Sequence, residues 1–349
     1  MRINPYRSFV SALVLAGLAA AFAPAPASAL DPSMIAAAKK EGEVVWYTGL
    51  IVNAVVRPLS EAFERKYGIK VKHTSTTDAE TMLRITNEAR AGRTESDVFD
   101  TPGTVMPPLV KAGLVERYTP ESVAEYDARF RDKDGYWNGI FALYLTVGYN
   151  TELVKPADAP KTFQDLLDPK WQGKMAWVNN RVISGPAGFI ANVLAAMGPD
   201  AGTDYLRKLG QQKIVSIPSN QRVVLDQVIA GQYPIGLMVY NHHAVISAAQ
   251  GAPVAWVKME PLVANLGVVG LTKGGPHPNA GKLFLEFLFS EEGQTVIRDA
   301  NYPPAHPKVK AKEPSISPVT GNFKITMITP EATGEPLAGW LKIYDEFFK

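Results

Sequence analysis

Tyr240, Asn241, His242 and His243 follow one another at the end of the apolar run "YPIGLMVY". A phenol, an amide and two imidazoles in one turn could coordinate a metal, hydrogen-bond the oxygens of an organic solute, or simply open a helix. Asn241 is a good N-cap for "HHAVISAAQG". That places both histidines in the first turn, where the helix dipole disfavours protonation. A neutral imidazole there can bond a ligand oxygen or bind a metal. The string alone leaves these options open, so the choice turns on what lies around it.

The elements that must position these residues are legible in the periodicity. "EVVWYTG" (residues 43–49) is a short β-rich run broken at Gly49. Val55, Val56, Leu59, Phe63 and Tyr67 then recur at helical spacing up to Gly68. "IKVKHTS" alternates, with Ile69, Val71 and His73 on one face, which makes His73 a sheet position rather than a ligand. A helical stretch over 80–91 leads to "DVFDT" (97–101). The second half repeats the scheme: strand "GKMAWV", helix "GPAGFIANVLAAMG", strand "KIVSIP", helix "NQRVVLDQVIAG", and strand "YPIGLMVY". Strands separated by helices imply parallel α/β units, two of them in one chain.

In open α/β sheets, ligands lie outside the carboxyl ends of the strands. Four junctions of that kind stand out: Thr48-Gly49-Leu50, Asp100-Thr101, Ser184-Gly185 before a helix at Pro186, and Tyr240-Asn241-His242. Helix starts offer unpaired N–H groups and a partial positive charge, which suits a carboxylate or phosphate without a lysine. Thr48, Ser184 and Asn241 are also ordinary capping residues. Arg181 in "VNNRVISG" could pair with an anion bidentately or sit in solvent. Asn220 either faces a ligand or only caps the helix that follows it. Tyr47 points either into the cleft or into the core, and Trp46, Trp177 and Trp256 are packing residues at strand positions.

Composition narrows the chemistry further. Arg2 and Arg7, the apolar stretch from Phe9 to Ala23, and "ASA" at residues 27–29 read as a secretory leader over residues 1–29. Its removal leaves 34 basic against 34 acidic side chains, which gives no electrostatic case for nucleic acid. With no cysteine there is no disulfide, thiolate metal site or thiol nucleophile. An exported hydrolase is the enzymatic rival, yet G-x-S-x-G and H-E-x-x-H are both missing. "GPHPNAGKL" fails as a phosphate loop because Leu283 stands where Ser or Thr is required. A sensory protein on the same scaffold is a third class, separable from transport by the neighbouring genes.

Several phrases, in order, resemble a known family: "DVFDTPG", "GYWNG", "VGYNTELVK", "TFQDLLDPKWQGKMAW", "AGQYPIGL" and "TKGGPHPNAGKLFLEFLFSEEGQ". The chain is similar to bacterial extracellular solute-binding proteins of ABC importers, in the branch that contains the periplasmic ferric-ion-binding proteins. The resemblance runs from about Glu41 to about Pro304. It implies an α/β, two-lobed periplasmic-binding-protein fold of type 2 with the ligand cleft between the lobes, closing on its ligand by hinge motion. The lobes would be 30–145 with 268–349, and 146–267. Crossing strands are expected near "TVGYN" (146–150) and "NLGVVGL" (265–271), with the C-terminal helices completing the first lobe.

The resemblance also implies a role: periplasmic capture of a solute and delivery to an inner-membrane permease and ATPase complex, by a monomer without catalysis or a cofactor. The expected ligand-binding residues are Thr48, Gly49, Leu50, Thr101, Arg181, Ser184, Gly185, Asn220, Tyr240, Asn241 and His242. A small polar or anionic solute, an organic carboxylate or phosphorylated compound, is the first reading, and ferric iron on Tyr240, His242 and Tyr144 is the alternative. The iron proteins of this branch carry two adjacent tyrosines where this chain has Tyr240-Asn241. They carry a histidine or tyrosine where "TGLIVN" has none, and an arginine where Leu145, Thr146 and Val147 stand.

Overall fold

The computed structural model describes Met1, residues 30–103 and residues 105–349. The expected leader, beyond Met1, lies outside the described residues. The alternating and β-branched runs form β1 (Glu43–Thr48), β2 (Lys70–Ser75), β3 (Val98–Pro102), β4 (Val115–Glu116), β5 (Asn138–Asn150), β6 (Met175–Val178), β7 (Val215–Ile217), β8 (Ile235–Tyr240), β9 (Val254–Val257), β10 (Leu262–Thr272) and β11 (Ile325–Ile328). The helical periods form α1 (Pro32–Glu41), α2 (Arg57–Tyr67), α3 (Asp78–Arg90), α4 (Met106–Lys111), α5 (Pro186–Met197), α6 (Pro199–Gly210), α7 (Gln221–Ile229), α8 (Asn241–Ala249), α9 (Pro278–Phe289), α10 (Glu291–Asp299), α11 (Pro318–Gly321) and α12 (Glu335–Phe347). Among the described residues no helix is long and apolar enough to cross a membrane.

The strands run in the order β2-β1-β3-β10-β5-β8-β6-β7. β2, β1 and β3 are mutually parallel, as are β8, β6 and β7. Between these two parallel sets stand β10 and β5, long strands paired antiparallel. β5 is 13 residues long and uses its length to serve both sets. Its first part pairs with β10, its last part with β8 and β9, and Leu145 faces Val263 on one side and Tyr240 on the other.

Packing changes sides at the same point. Apolar residues up to Tyr144 belong to a core built on Trp46, Phe63, Phe99 and Phe284, whereas Leu145, Val147 and Tyr149 belong to a core built on Trp177, Phe189, Ile190 and Leu206. On β10, Leu262, Ala264 and Leu266 join the first core and Val263 the second. α9 and α10 cover the first core, where Phe284 meets Trp46 and Phe63 edge to face at 5.3 and 5.0 Å. α12 does not follow them, against the expectation that the C-terminal helices complete the first half. Its Tyr344 and the following Phe348 pack on Trp177 at 6.1 and 4.9 Å, so the chain ends against α5 in the second half. The physical reason is the apolar face of α12, whose Trp340, Ile343, Tyr344 and Phe347 pack with the second core.

One buried carboxylate ties a surface turn to the first core. Glu286, on the inner face of α9, accepts hydrogen bonds from the Tyr118 hydroxyl (2.7 Å) and the amides of Glu121 (2.8 Å) and Ser122 (3.1 Å). Glu286→Ala strands three donors and is expected to cost about 3 kcal/mol of unfolding free energy. Urea denaturation checks this, and Glu286→Gln, which keeps an acceptor, should lose visibly less.

Candidate ligand-binding site

The carboxyl ends of β1 and β3 lie side by side, and β8 reaches the same level across β5 and β10. A cavity of about 200 Å³ opens there. Gly49 and Leu50 line it from the β1 turn, Asp100 to Pro102 from the end of β3, and Tyr240 from the end of β8. The crossing strands supply its floor through Phe141, Leu143, Asn265 and Gly267, and Tyr302 closes one wall.

Local chemistry explains each turn. The Thr48 hydroxyl accepts from the Leu50 amide (3.1 Å) and lies buried beneath the turn rather than in the cavity. Gly49 donates its amide to Asp100 Oδ1 at 3.3 Å. Thr101 is buried, and its hydroxyl has no hydrogen-bond partner among the described residues. Tyr240 is the N-cap residue of α8 but forms no side-chain cap.

That corrects the expected cap at Asn241. Asn241 is the first helical residue, is fully buried, and donates its side-chain amide to the carbonyl of Ile316 (3.1 Å). It ties α8 to a distant segment and does not line the cavity. His242 lies behind Tyr240, buried, with ring centroids 5.5 Å from Tyr240, 4.3 Å from His243 and 5.9 Å from Tyr302. Burial first, and then the charge of its neighbour His243, pull the His242 pKa down to about 3. Burial, and then Arg222, hold His243 at about 4. Both rings are therefore neutral at pH 7.

Four other expected residues sit elsewhere. Arg181 grips Asp345 of α12 through both terminal nitrogens, at 2.8 and 3.1 Å, which occupies the fork that an anion would need. Asn220 caps α7 by accepting from the Val223 amide (3.1 Å) and is exposed. The Ser184 carbonyl accepts from Gln221 (2.8 Å), and Gly185 is the extended residue before α5. None of Arg181, Ser184, Gly185 and Asn220 lines the cavity.

Tyr144, expected as an iron ligand, turns away as well. Side chains alternate along a strand. Leu143 therefore faces the cavity while Tyr144 faces the first core, 5.5 Å edge to face from Phe323. Burial there raises its hydroxyl pKa. Tyr47 likewise points inward, donating to Glu88 at 2.6 Å. His73 is exposed on β2.

Among the polar lining residues, Asp100, Asn265 and Tyr302 lie outside the expected ligand set. Asp100 had a signal, since it immediately precedes Thr101 at the end of β3. Tyr302 had none, because it lies far along the chain in "NYPP". Burial raises the Tyr302 pKa, and the nearby charge of Asp100 raises it further.

The electrostatics of the lining are one-sided. Among the described residues, Asp100 is its one formally charged lining residue, and no lysine or arginine lines it. Oxygen dominates the remaining polar groups: the phenols of Tyr240 and Tyr302, the Thr101 hydroxyl and the Asn265 amide. Among the described residues no group of three or more His, Cys, Asp or Glu could hold a metal, so a cation here would depend on the phenols as well.

Comparison with known proteins agrees with this architecture. Residues 97–320 match the family model described as bacterial extracellular solute-binding protein. Iron uptake protein A1 of Synechocystis is 25% identical over 312 residues, covering 86% of this chain and 80% of the relative. The Trichodesmium protein solved in complex with iron and citrate ligands has a TM-score of 0.74 at 20% identity, covering 88% of this chain and 99% of that one. The periplasmic binding protein AfuA from Actinobacillus pleuropneumoniae, solved with exogenous fructose-6-phosphate bound, has a TM-score of 0.67 at 23% identity, covering 88% and 98%. Such neighbours share the two-lobed type 2 periplasmic-binding fold, and the chain is a binding protein rather than an enzyme. A match over most of the length, on a fold whose strand ends surround a cavity, places the chain in the bacterial extracellular solute-binding protein family.

Proposed function

We propose that this protein captures ferric iron outside the inner membrane and hands it to an ABC permease and ATPase complex. It would act as a monomer exported by the general pathway after loss of residues 1–29. The ligand set would centre on Asp100 and Tyr240, with Gly49, Leu50 and Thr101 shaping the pocket and His242 backing it. The single observation that carries the cargo is the lining itself: a carboxylate and phenols, with no cationic side chain among the described residues. Hard oxygen donors suit a small, highly charged cation. Bringing an anion up to the Asp100 carboxylate sets two like charges side by side, which is unfavourable. The iron-related neighbours support the same reading.

A second reading has its own support. Three of the four expected turns, at Gly49-Leu50, Thr101 and Tyr240, converge on the cavity, and the fructose-6-phosphate-bound neighbour shares the fold. A small phosphorylated or carboxylated solute could use helix-start amides there. Against it, the Gly49 amide is already engaged by Asp100.

Titration of the purified mature protein with ferric citrate, and separately with fructose 6-phosphate, decides between them. At a hundredfold excess over Kd the true ligand adds about 2.7 kcal/mol of stability. Ferric iron should raise the Tm and give a visible phenolate absorption band. Stabilisation by the sugar phosphate, with no response to iron, would replace the first reading by the second.

A further inference from the structure

We propose that Tyr302 is a ligand-binding residue supplied by the first half of the molecule, opposite Tyr240 from the second, and that the left-handed backbone of Asn301 positions it. This rests on the ferric reading above. Tyr240 and Tyr302 line the same cavity but are anchored in different cores. Tyr240 packs against the second core and Tyr302 against the first. A phenol from each half is the arrangement by which a bound ion would tie the halves together.

The chain delivers Tyr302 by a defined device. α10 ends in a Schellman motif: the Asn301 amide donates to the Arg298 carbonyl (2.9 Å) and the Tyr302 amide to the Ile297 carbonyl (3.2 Å). The motif requires a left-handed residue between helix and exit, and Asn301 supplies it at φ +65°. Asparagine tolerates that region better than other residues with a Cβ. The exit is then held on both sides. Pro304 forms a bridge with Phe141 of β5, and the Tyr302 ring lies 5.0 Å from Phe141 and 5.9 Å from His242. The hydroxyl-bearing end therefore has little freedom, and its neighbour at the cavity wall is Asp100.

The β8 side has a parallel feature. Met238, two residues before Tyr240, also has positive φ, +55°, at the irregularity where β5 and β8 change register. Of the four non-glycine residues with positive φ among the described residues, two thus lie within two positions of the cavity's two tyrosines. Backbone in sparsely populated regions persists where the surroundings hold it, often at ligand sites.

The test uses the mature full chain, ferric citrate as the probe, and both absorbance and tryptophan fluorescence as readouts. Tyr302→Phe keeps the ring on Phe141 and His242, so its ligand-free Tm should match the wild type. Its ferric affinity should fall about ten-fold or more, with a weaker and shifted phenolate band. Asn301→Gly should bind as wild type, while Asn301→Val, with Tyr302 intact, should lose affinity. If the wild type binds iron and Tyr302→Phe matches it in affinity and spectrum, the assignment of Tyr302 is wrong. If Asn301→Val binds normally, the positioning role of Asn301 is wrong. A wild type that takes up no ferric iron removes the cargo reading itself, and the proposal with it. Should Asn301→Val fail to fold, Tyr302→Phe and Asn301→Gly still decide.

Discussion

Asp100→Asn is expected to lower ferric affinity by about 100-fold, equal to about 2.7 kcal/mol, while leaving the fold unchanged. The substitution is isosteric, and its amide oxygen can still accept from the Gly49 amide, so the β1 turn keeps its support. What disappears is the one formal charge among the lining residues. A charged acceptor contributes roughly twice as much as a neutral one, and more when water is excluded, as at this buried position. The sign makes the experiment decisive, because an anionic solute would bind Asp100→Asn more tightly than the wild type. Isothermal titration of both proteins with ferric citrate and with fructose 6-phosphate measures it. Tightened sugar-phosphate binding would transfer the site to the anion reading.

Acidification should unfold the ligand-free protein through the two adjacent histidines. Their folded pKa values, about 3 for His242 and about 4 for His243, lie below the ordinary 6.5 because burial penalises the charged ring. The unfolded chain therefore takes up protons first. Stability from this source is complete above pH 6.5 and is lost as the pH falls from 6.5 to about 4 for His243 and to about 3 for His242. The slope is about 1.4 kcal/mol per pH unit for each ring. At pH 4 that amounts to about 3 kcal/mol from His242, and less from His243, which is only half-buried and partly screened by solvent. Urea midpoints at pH 7, 5.5 and 4 follow the loss. His242→Gln should flatten the profile in that window, and an unchanged slope would show that carboxylates rather than imidazoles govern the acid transition.

The readable part of this molecule was local. Alternation in residues 43–48, the helical spacing of Leu59, Phe63 and Tyr67, and the glycine at 68 place β1 and α2 within a residue or two of where they form. The same logic located the strand ends that carry Gly49, Leu50, Thr101 and Tyr240, because a strand followed by a helix must turn at its carboxyl end. What failed was direction and company. Tyr144 and Leu143 are adjacent in sequence, yet a one-residue difference in strand phase sends one to the core and the other to the cavity. Arg181 looked available for an anion, but Asp345, distant in the chain, had already taken it.

The amino-acid sequence by itself therefore determined an α/β chain and the turns at its strand ends, since periodicity, capping and turn chemistry act over a few residues. Only the tertiary structure decided that Asp100, Tyr240 and Tyr302 share one cavity and that α12 belongs to the second half. Such choices depend on strand order and on which apolar face finds a partner, and those are set by contacts between residues far apart along the chain.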